Sequence, residues 1–256
     1  MALAKPVRKC DGLGMQPREE MTPHFHAAEF GAREVREDKS ERAVPRFKAA
    51  IFDLDNCLSA ADEPGTTLFE PAFEAIHRAN DGRLNERELQ AAFSDCWRHA
   101  LDFVARKHGF SEAMLVAGWE VFRRVEVTSP MRGYGDLHTL KELNLMRFLV
   151  TSGFRRLQES KIRALGINDW FITIYVDAID EPDRKGKQHI FSEILARHRL
   201  RPENVLVVGD NADSEIEAGH RLGIETVQIL RPGVPVAENA TWQVHDLDGV
   251  RRLVNR

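Results

Sequence analysis

Short apolar runs alternate with amphipathic stretches along most of the chain after residue 46. Five of these runs have the length and the β-prone composition of single buried strands. They cover residues 47–52, 147–150, 171–176, 205–208 and 226–230. Because helical stretches separate the later runs, the pattern predicts strands that pair in parallel through right-handed crossovers. We therefore expect an α/β fold in which ligands bind outside the carboxyl ends of the strands.

Two helices are predicted between the later strands. The apolar residues of 154–165 fall on one helical face, and Gly166 ends that helix. A second helix covers 216–222 and ends at Gly223. This alternation is typical of a parallel sheet with helices on both faces.

The stretch 64–136 breaks the alternation. Its pattern predicts three helices, over 68–79, 86–108 and 111–125. An insert at the mouth of a sheet is well placed to act as a lid that excludes water and selects the substrate. We therefore predict a core made of 47–63 and 137–256, with an inserted α-helical cap over 64–136.

Residues 1–46 contain several glycines and prolines and many mixed charges, without a sustained apolar period. Such a segment buries too little apolar surface to offset the entropy of ordering it. We predict a flexible N-terminal extension.

Composition narrows the function. The chain has 256 residues, of which 43% are hydrophobic, and a net charge of −4. No apolar run approaches membrane-spanning length, and no hydrophobic stretch near the N-terminus suggests a secretory signal. Cys10, Cys57 and Cys96 are isolated, which is typical of a reducing compartment without disulfides or zinc. These features predict a cytoplasmic protein without a membrane partner, and the absence of a basic stripe argues against nucleic acid.

Candidate chemistry begins at the end of the first predicted strand, where Asp53 and Asp55 follow the apolar run. Side chains alternate along a strand, so these two carboxylates are predicted to point the same way. Two carboxylates held together repel each other unless a cation or a shared proton relieves them. The pair therefore predicts a hard metal ion or a raised pKa. Thr151 and Asp210 stand at the ends of two later strands and can join it.

A second Asp-x-Asp, Asp246 and Asp248, follows the apolar stretch 241–244. Only eight residues come after Asp248, so no later strand can supply partners for it. We predict that this pair is a polar turn that caps a terminal helix.

Four ordered motifs together resemble those of the haloacid dehalogenase-like (HAD) hydrolase superfamily. They are FDLDNCL at 52–58, LVTSG at 149–153, KGKQHIF at 185–191 and VVGDN at 207–211. The resemblance covers essentially everything after residue 46. It implies a Rossmann-like core, an aspartate nucleophile, Mg²⁺ and, for most members, phosphatase activity. The stretch 64–136 resembles the helical type I cap of the family.

The resemblance implies a role for each motif residue. Asp53 becomes the nucleophile that forms an aspartyl-phosphate, and Asp55 the acid that protonates the leaving oxygen and then activates water. Mg²⁺ is expected on Asp53, Asp55 and Asp210, with Asp55 contributing its backbone carbonyl. Thr151 donates a hydrogen bond to a phosphoryl oxygen, and Lys185 balances charge in the transition state.

Neighbouring residues leave alternatives open. Ser152 is a further substrate-binding candidate. Lys185 competes with Arg184 and Lys187 for the cationic role; we favour Lys185 because the family's lysine usually stands six residues before the position of Phe191, and we interpret Lys187 as solvated.

Two polar residues near the fourth motif are expected to support the site. Glu215 is expected to contact Lys185 or a metal-bound water, with Asp213 as a rival. Asn211 is either close to the metal or a turn residue.

These assignments predict a magnesium-dependent phosphatase acting on a small phosphorylated metabolite. Asp55 argues against a dehalogenase, since a halide leaves without a proton. A phosphomutase of the same superfamily, or a non-catalytic phosphate-binding relative, remains an alternative. Phosphoglycolate, a sugar phosphate and a nucleoside monophosphate are all compatible with the motifs. Several polar residues of the predicted cap are candidates for contact with the substrate. They are His77, Arg98, His99, Arg106, Lys107 and His108.

Overall fold

The computed structural model describes residues 45–256. The predicted flexible extension falls almost entirely on 1–44, which lie outside the described residues, as does Cys10. The described residues, 45–256, lie in one compact unit.

A six-stranded parallel sheet forms the centre of this unit. Its strands are β1 (Ala49–Phe52), β2 (Met146–Gly153), β3 (Thr173–Ala178), β4 (Val205–Gly209), β5 (Glu225–Ile229) and β6 (Trp242–Val244). Their spatial order is β3-β2-β1-β4-β5-β6. The predicted α/β, Rossmann-like class is confirmed, and all five predicted strands are present. β6 was not predicted as a strand, because three residues at a sheet edge carry too little pattern.

Alternation along β1 divides the core into two layers. Ala50 and Phe52 pack into the cluster on one face of the sheet, and Ala49 and Ile51 pack into the cluster on the other. All four side chains are buried, as expected for a central strand covered on both faces. β1 therefore holds its carboxyl end firmly between β2 and β4.

The helices are α1 (Glu70–Arg78), α2 (Glu86–Asp95), α3 (Leu101–His108), α4 (Glu112–Phe122), α5 (Arg155–Leu165), α6 (Lys187–His198), α7 (Glu217–Arg221) and α8 (Leu247–Val254). α5 and α8 contribute to one core layer, and α6 and α7 to the other. Within residues 45–256, no helix combines the length and the apolar composition that crossing a membrane requires.

Helices α1 to α4 lie between β1 and β2, where the sequence predicts an insert. The single helix predicted over 86–108 is wrong, because the chain leaves the helix after Asp95 and re-enters it at Leu101. Trp97 in this break stacks on Phe69 with ring centroids 4.1 Å apart. This stacking of partly buried Trp97 on Phe69 favours the broken path over a continuous helix.

The second Asp-x-Asp has the predicted capping role. Asp246 precedes α8, and its Oδ1 accepts a hydrogen bond from the Gly249 backbone at 2.7 Å. Asp248 is half-exposed and pairs with Arg251 at 2.9 Å. This pair stabilises a helix terminus.

Candidate active site

Three acidic side chains meet at the carboxyl ends of the central strands. Asp53 follows β1 and its backbone N donates to the Val208 carbonyl at 2.9 Å, so the sheet pairing continues to the residue itself. Asp210 directly follows β4, and Glu215 comes from a π-helical turn over Ala212–Ile216. Each offers one carboxylate oxygen, and these three oxygens lie within 4.8 Å of one another.

The electrostatics of this cluster are unfavourable without a cation. Burial, together with the Glu215 charge, raises the pKa of Asp53 to about 7 despite the opposing effect of Lys187. Burial and the charges of Glu215 and Asp53 raise the pKa of Asp210 to about 8. Clustered hard oxygen donors whose charged forms repel one another fit a divalent ion such as Mg²⁺.

A glycine allows Glu215 to enter the cluster. A Cβ added at Gly209 would lie 2.3 Å from Glu215 Cγ, so a side chain at 209 would displace the glutamate. Glu215 Oε1 accepts a hydrogen bond from the Asn211 backbone at 2.6 Å. Asn211 itself caps the turn, since its side chain accepts from the Asp213 backbone at 3.0 Å.

Lys187 is the lysine of this site. Its Nζ lies 2.9 Å from Asp53 Oδ1 and 2.8 Å from Glu215 Oε2, and its side chain is 7% exposed. Burial opposes its charge, but the two carboxylates outweigh that effect and raise the pKa of its ammonium above the ordinary value. Lys187 in turn outweighs the burial of Glu215 and lowers the pKa of that carboxyl.

The interpretation of Lys187 as a solvated side chain is therefore wrong, and the structure does not bring Lys185 to the acidic cluster. Lys185 is exposed in the segment before α6, whereas Lys187 is the first residue of that helix. The sequence did contain the signal. Lys187 shares the spacing i, i+3, i+4, i+7 with Ile190, Phe191 and Ile194, which all face the core.

Asp177 was not predicted, although it orders the approach to α6. Its carboxylate accepts hydrogen bonds from Ser152 Oγ at 2.9 Å, the Gly186 backbone at 3.0 Å and Arg184 Nε at 3.1 Å. The hydroxyl of Ser152, a predicted substrate ligand, is thus already engaged. Asp177 is the fifth residue of β3 but directly follows the predicted strand 171–176, and its position at the end of that apolar run was the available signal.

Asp55 and Thr151 face the same cavity from another side. Asp55 Oδ1 accepts from Lys161 Nζ at 2.7 Å, and Asp55 Oδ2 accepts from Gln158 Nε2 at 3.2 Å. Thr151 Oγ1 donates to Gln158 Oε1 at 3.1 Å. Both Asp55 carboxylate oxygens are therefore engaged by α5, and Asp55 is not part of the acidic cluster of Asp53, Asp210 and Glu215.

The helical insert closes the opposite wall of a cavity of about 250 Å³. Among the polar residues predicted to meet substrate, Arg98, His99 and Arg106 line this cavity. Arg98 Nη2 lies 3.4 Å from Asp210 Oδ2. The remaining three are engaged elsewhere on the insert. His77 pairs with Glu86, and Lys107 and His108 pair with Asp95.

Known proteins share this sequence pattern and fold. A family profile described as haloacid dehalogenase-like hydrolase matches residues 47–223. The chain belongs to this family. The predicted enzyme class, a HAD-superfamily hydrolase, is thereby confirmed.

Individual relatives agree with this assignment. A glyceraldehyde 3-phosphate phosphatase of Methanopyrus kandleri is 30% identical over 202 residues, which cover 72% of this chain and 84% of that protein. A pyrimidine 5′-nucleotidase of Escherichia coli is 24% identical, over 68% and 75% of the respective chains. A HAD hydrolase of Bacillus subtilis crystallised with magnesium has the same fold, with a TM-score of 0.55, 18% identity and coverage of 82% and 100%.

The raised pKa values predict how stability depends on pH and magnesium. Asp53 and Asp210 keep protons in the folded state that the unfolded chain releases near pH 3.8, so without metal this stabilisation is lost as pH rises toward about 8. Asp210→Asn should flatten that decline and raise the metal-free Tm at about pH 8 by roughly 3–8 °C, since 1 kcal/mol corresponds to about 2–4 °C at this size. Differential scanning calorimetry across this pH range measures the decline of Tm, and the same scans with Mg²⁺ measure how far the ion stabilises the protein.

Asp248→Asn is the matched control, because Asp248 is half-exposed, pairs with Arg251 on α8 and is not part of the acidic cluster. It should reproduce the wild-type profile, and Mg²⁺ should stabilise it as it does the wild type. Equal stabilisation of Asp210→Asn by Mg²⁺ would contradict a metal site at this cluster.

Proposed function

We propose that this enzyme is a magnesium-dependent phosphatase that hydrolyses a small phosphate monoester through an aspartyl-phosphate on Asp53. The observation that carries the proposal is the pairing of Asp53 with both a buried ammonium, 2.9 Å away on Lys187, and a cluster of metal-binding carboxylates. A phosphate dianion repels an anionic nucleophile, and this environment removes that obstacle. The relatives named as a phosphatase and a nucleotidase, and the magnesium in the Bacillus subtilis structure, support it.

Asp53 acts as the nucleophile. One of its oxygens attacks phosphorus while the bond between phosphorus and the leaving oxygen breaks, which divides one difficult displacement into two easier ones. Magnesium bound by Asp53, Asp210 and Glu215 would supply positive charge opposite the phosphoryl oxygens. Lys187 supplies a second positive charge and orients the Asp53 carboxylate by its hydrogen bond.

Asp55 moves the protons. It protonates the leaving oxygen in the first step and, as a carboxylate, takes a proton from the water that hydrolyses the aspartyl-phosphate in the second. Thr151 has one hydroxyl hydrogen, which it donates in a hydrogen bond to Gln158 Oε1 in this structure. A phosphoryl oxygen of the substrate would replace that contact and receive the hydrogen bond.

The cavity favours a small substrate. Its volume of about 250 Å³ is below the roughly 300–1,000 Å³ of pockets that hold drug-sized ligands. We therefore favour a triose phosphate or a similarly short phosphoester over a nucleotide, in agreement with the glyceraldehyde 3-phosphate phosphatases among the relatives. A cytoplasmic location is part of the proposal, and the free thiols of Cys57 and Cys96 suit a reducing compartment.

Loss of the nucleophile tests the reaction itself. Asp53→Asn should lower kcat for p-nitrophenyl phosphate at least about 1,000-fold, since the covalent route is lost. Wild-type activity should disappear with EDTA and return with Mg²⁺, whereas Asp248→Asn should stay near wild type. Mass spectrometry of acid-quenched wild type should find phosphate on Asp53, and release of inorganic phosphate from a sugar phosphate separates a phosphatase from a mutase. Activity that survives in Asp53→Asn would refute the mechanism.

The two lysines of the third motif provide an internal comparison. Lys187→Met should lower kcat about 100-fold or more, because the ammonium beside Asp53 stabilises the transition state. Lys185→Met should change kcat less than about twofold, because that side chain is exposed. Circular dichroism with saturating Mg²⁺ checks that both variants are folded. The reverse order of effects would restore Lys185 as the functional lysine.

Substrate size is tested by a panel of phosphoesters. Wild type should hydrolyse glyceraldehyde 3-phosphate, glycerol phosphate or phosphoglycolate with kcat/KM at least about tenfold above that for uridine and cytidine monophosphate, since the cavity is small. Phosphate release measures each rate. A preference for the nucleotides would show that the insert opens to admit a larger ligand.

A further inference from the structure

The proposed reaction uses Asp55, but it does not account for two buried polar residues that hold Asp55. Both lie on α5, three residues apart, at Gln158 and Lys161. Gln158 is 3% exposed and Lys161 2% exposed. Burial of a lysine is costly unless its charge is paired, and Asp55 is the acidic partner that the structure provides.

The contacts define the orientation of the Asp55 carboxylate. Lys161 Nζ donates to Oδ1 at 2.7 Å, and Gln158 Nε2 donates to Oδ2 at 3.2 Å. The Lys161 ammonium also lies 3.5 Å from the Ala61 carbonyl. This second contact, to the chain segment after β1, helps to fix the position of the ammonium. Each carboxylate oxygen has two acceptor sites, so one site on each oxygen remains for a substrate or a water.

Gln158 also connects two residues with different tasks. Its amide oxygen accepts from Thr151, while its amide nitrogen donates to Asp55. This assignment of the two amide atoms is the one in which both contacts are satisfied. Until a phosphoryl oxygen takes the Thr151 hydrogen bond, Gln158 therefore links the residue proposed to bind the phosphoryl group to the residue proposed to move protons.

We propose that Gln158 and Lys161 are positioning residues that hold Asp55 for proton transfer to the leaving oxygen. The inference rests on the proposed function. In the step concerned, a bond forms between Asp53 and phosphorus, the bond from phosphorus to the leaving oxygen breaks, and the proton passes from Asp55 to that oxygen. Loss of the two contacts leaves Asp53, Lys187 and the acidic cluster in place and misdirects the proton donor.

The test uses leaving groups that need a proton to different degrees. A nitrophenolate leaves without protonation, a phenolate benefits from it, and an alkoxide requires it. kcat/KM reports the first irreversible step, the transfer to Asp53, and so excludes the later hydrolysis of the intermediate. Wild type and variants are assayed with p-nitrophenyl phosphate, phenyl phosphate and the best alkyl phosphate of the panel above.

Lys161→Met should lower kcat/KM about 10–100-fold for the alkyl phosphate, less for phenyl phosphate and less than about threefold for p-nitrophenyl phosphate. Gln158→Leu should show the same order with smaller factors, and Lys161→Arg should restore most of the alkyl activity. Arg163→Met is the matched control, because Arg163 is an exposed cation on the same helix. In an Asp55→Asn background, Lys161→Met should add no further dependence on the leaving group.

An equal loss for all three substrates, or a rise in KM alone, would overturn the proposal and leave a structural or phosphate-binding role. If Lys161→Met does not fold, Gln158→Leu carries the same comparison. A wild type that releases phosphate from no substrate, p-nitrophenyl phosphate included, would instead refute the proposed function.

Discussion

Buried charge at the carboxyl ends of β1 and β4 is the constraint on which the site depends. Asp53, Asp210 and Glu215 carry three negative charges when ionised, and Lys187 carries one positive charge. The remaining difference of two charges equals that of one divalent cation. Each buried ion costs several kcal/mol in desolvation unless it is paired, so the raised pKa values of Asp53 and Asp210 measure how incompletely one lysine compensates.

Several local features of the fold bring these charges together. A lysine at a helix N-terminus is electrostatically unfavourable, yet α6 begins with Lys187 because two carboxylates face it. Asp177 holds the preceding backbone at Gly186, and the bare backbone of Gly209 leaves room for Glu215. These backbone and packing arrangements bring the carboxylates and the ammonium of the site together.

Sequence reasoning found the parts of the site that strand periodicity controls. Asp53 and Asp210 end apolar runs, and parallel pairing brings such ends together, so their convergence could be predicted. Site residues on helices were harder to predict, because a charged residue in a helix is usually interpreted as exposed to solvent. Lys187 is spaced with Ile190 and Phe191, and Lys161 is spaced four residues after Leu157. A charge inside an apolar helical stripe was the signal, and only its buried partner explains it.

The break in the insert and the role of Asp177 could not be predicted in the same way. Both depend on contacts between segments distant in the chain, such as Trp97 with Phe69 and Asp177 with Ser152. The local sequence pattern cannot predict which distant residue will be the partner. Pattern does indicate where to look, since Asp177, like Asp53, directly follows an apolar run, and polar residues at the carboxyl ends of parallel strands lie where ligands bind.

The two Asp-x-Asp sequences show how sheet position decides their chemistry. β1 lies between β2 and β4. The helix that follows β2, α5, and the helix that precedes β4, α6, reach Asp55 and Asp53 from two directions. α6 brings Lys187 to Asp53, and α5 brings Lys161 to Asp55. The two carboxylates thus acquire separate ammonium partners and can take separate tasks. β6 is at the edge with β5 as its one strand partner in the described sheet, and the pair after it, Asp246 and Asp248, meets a helix terminus and a half-exposed arginine instead. The same three-residue pattern therefore forms the proposed catalytic pair at the centre of the sheet and caps a helix at its edge.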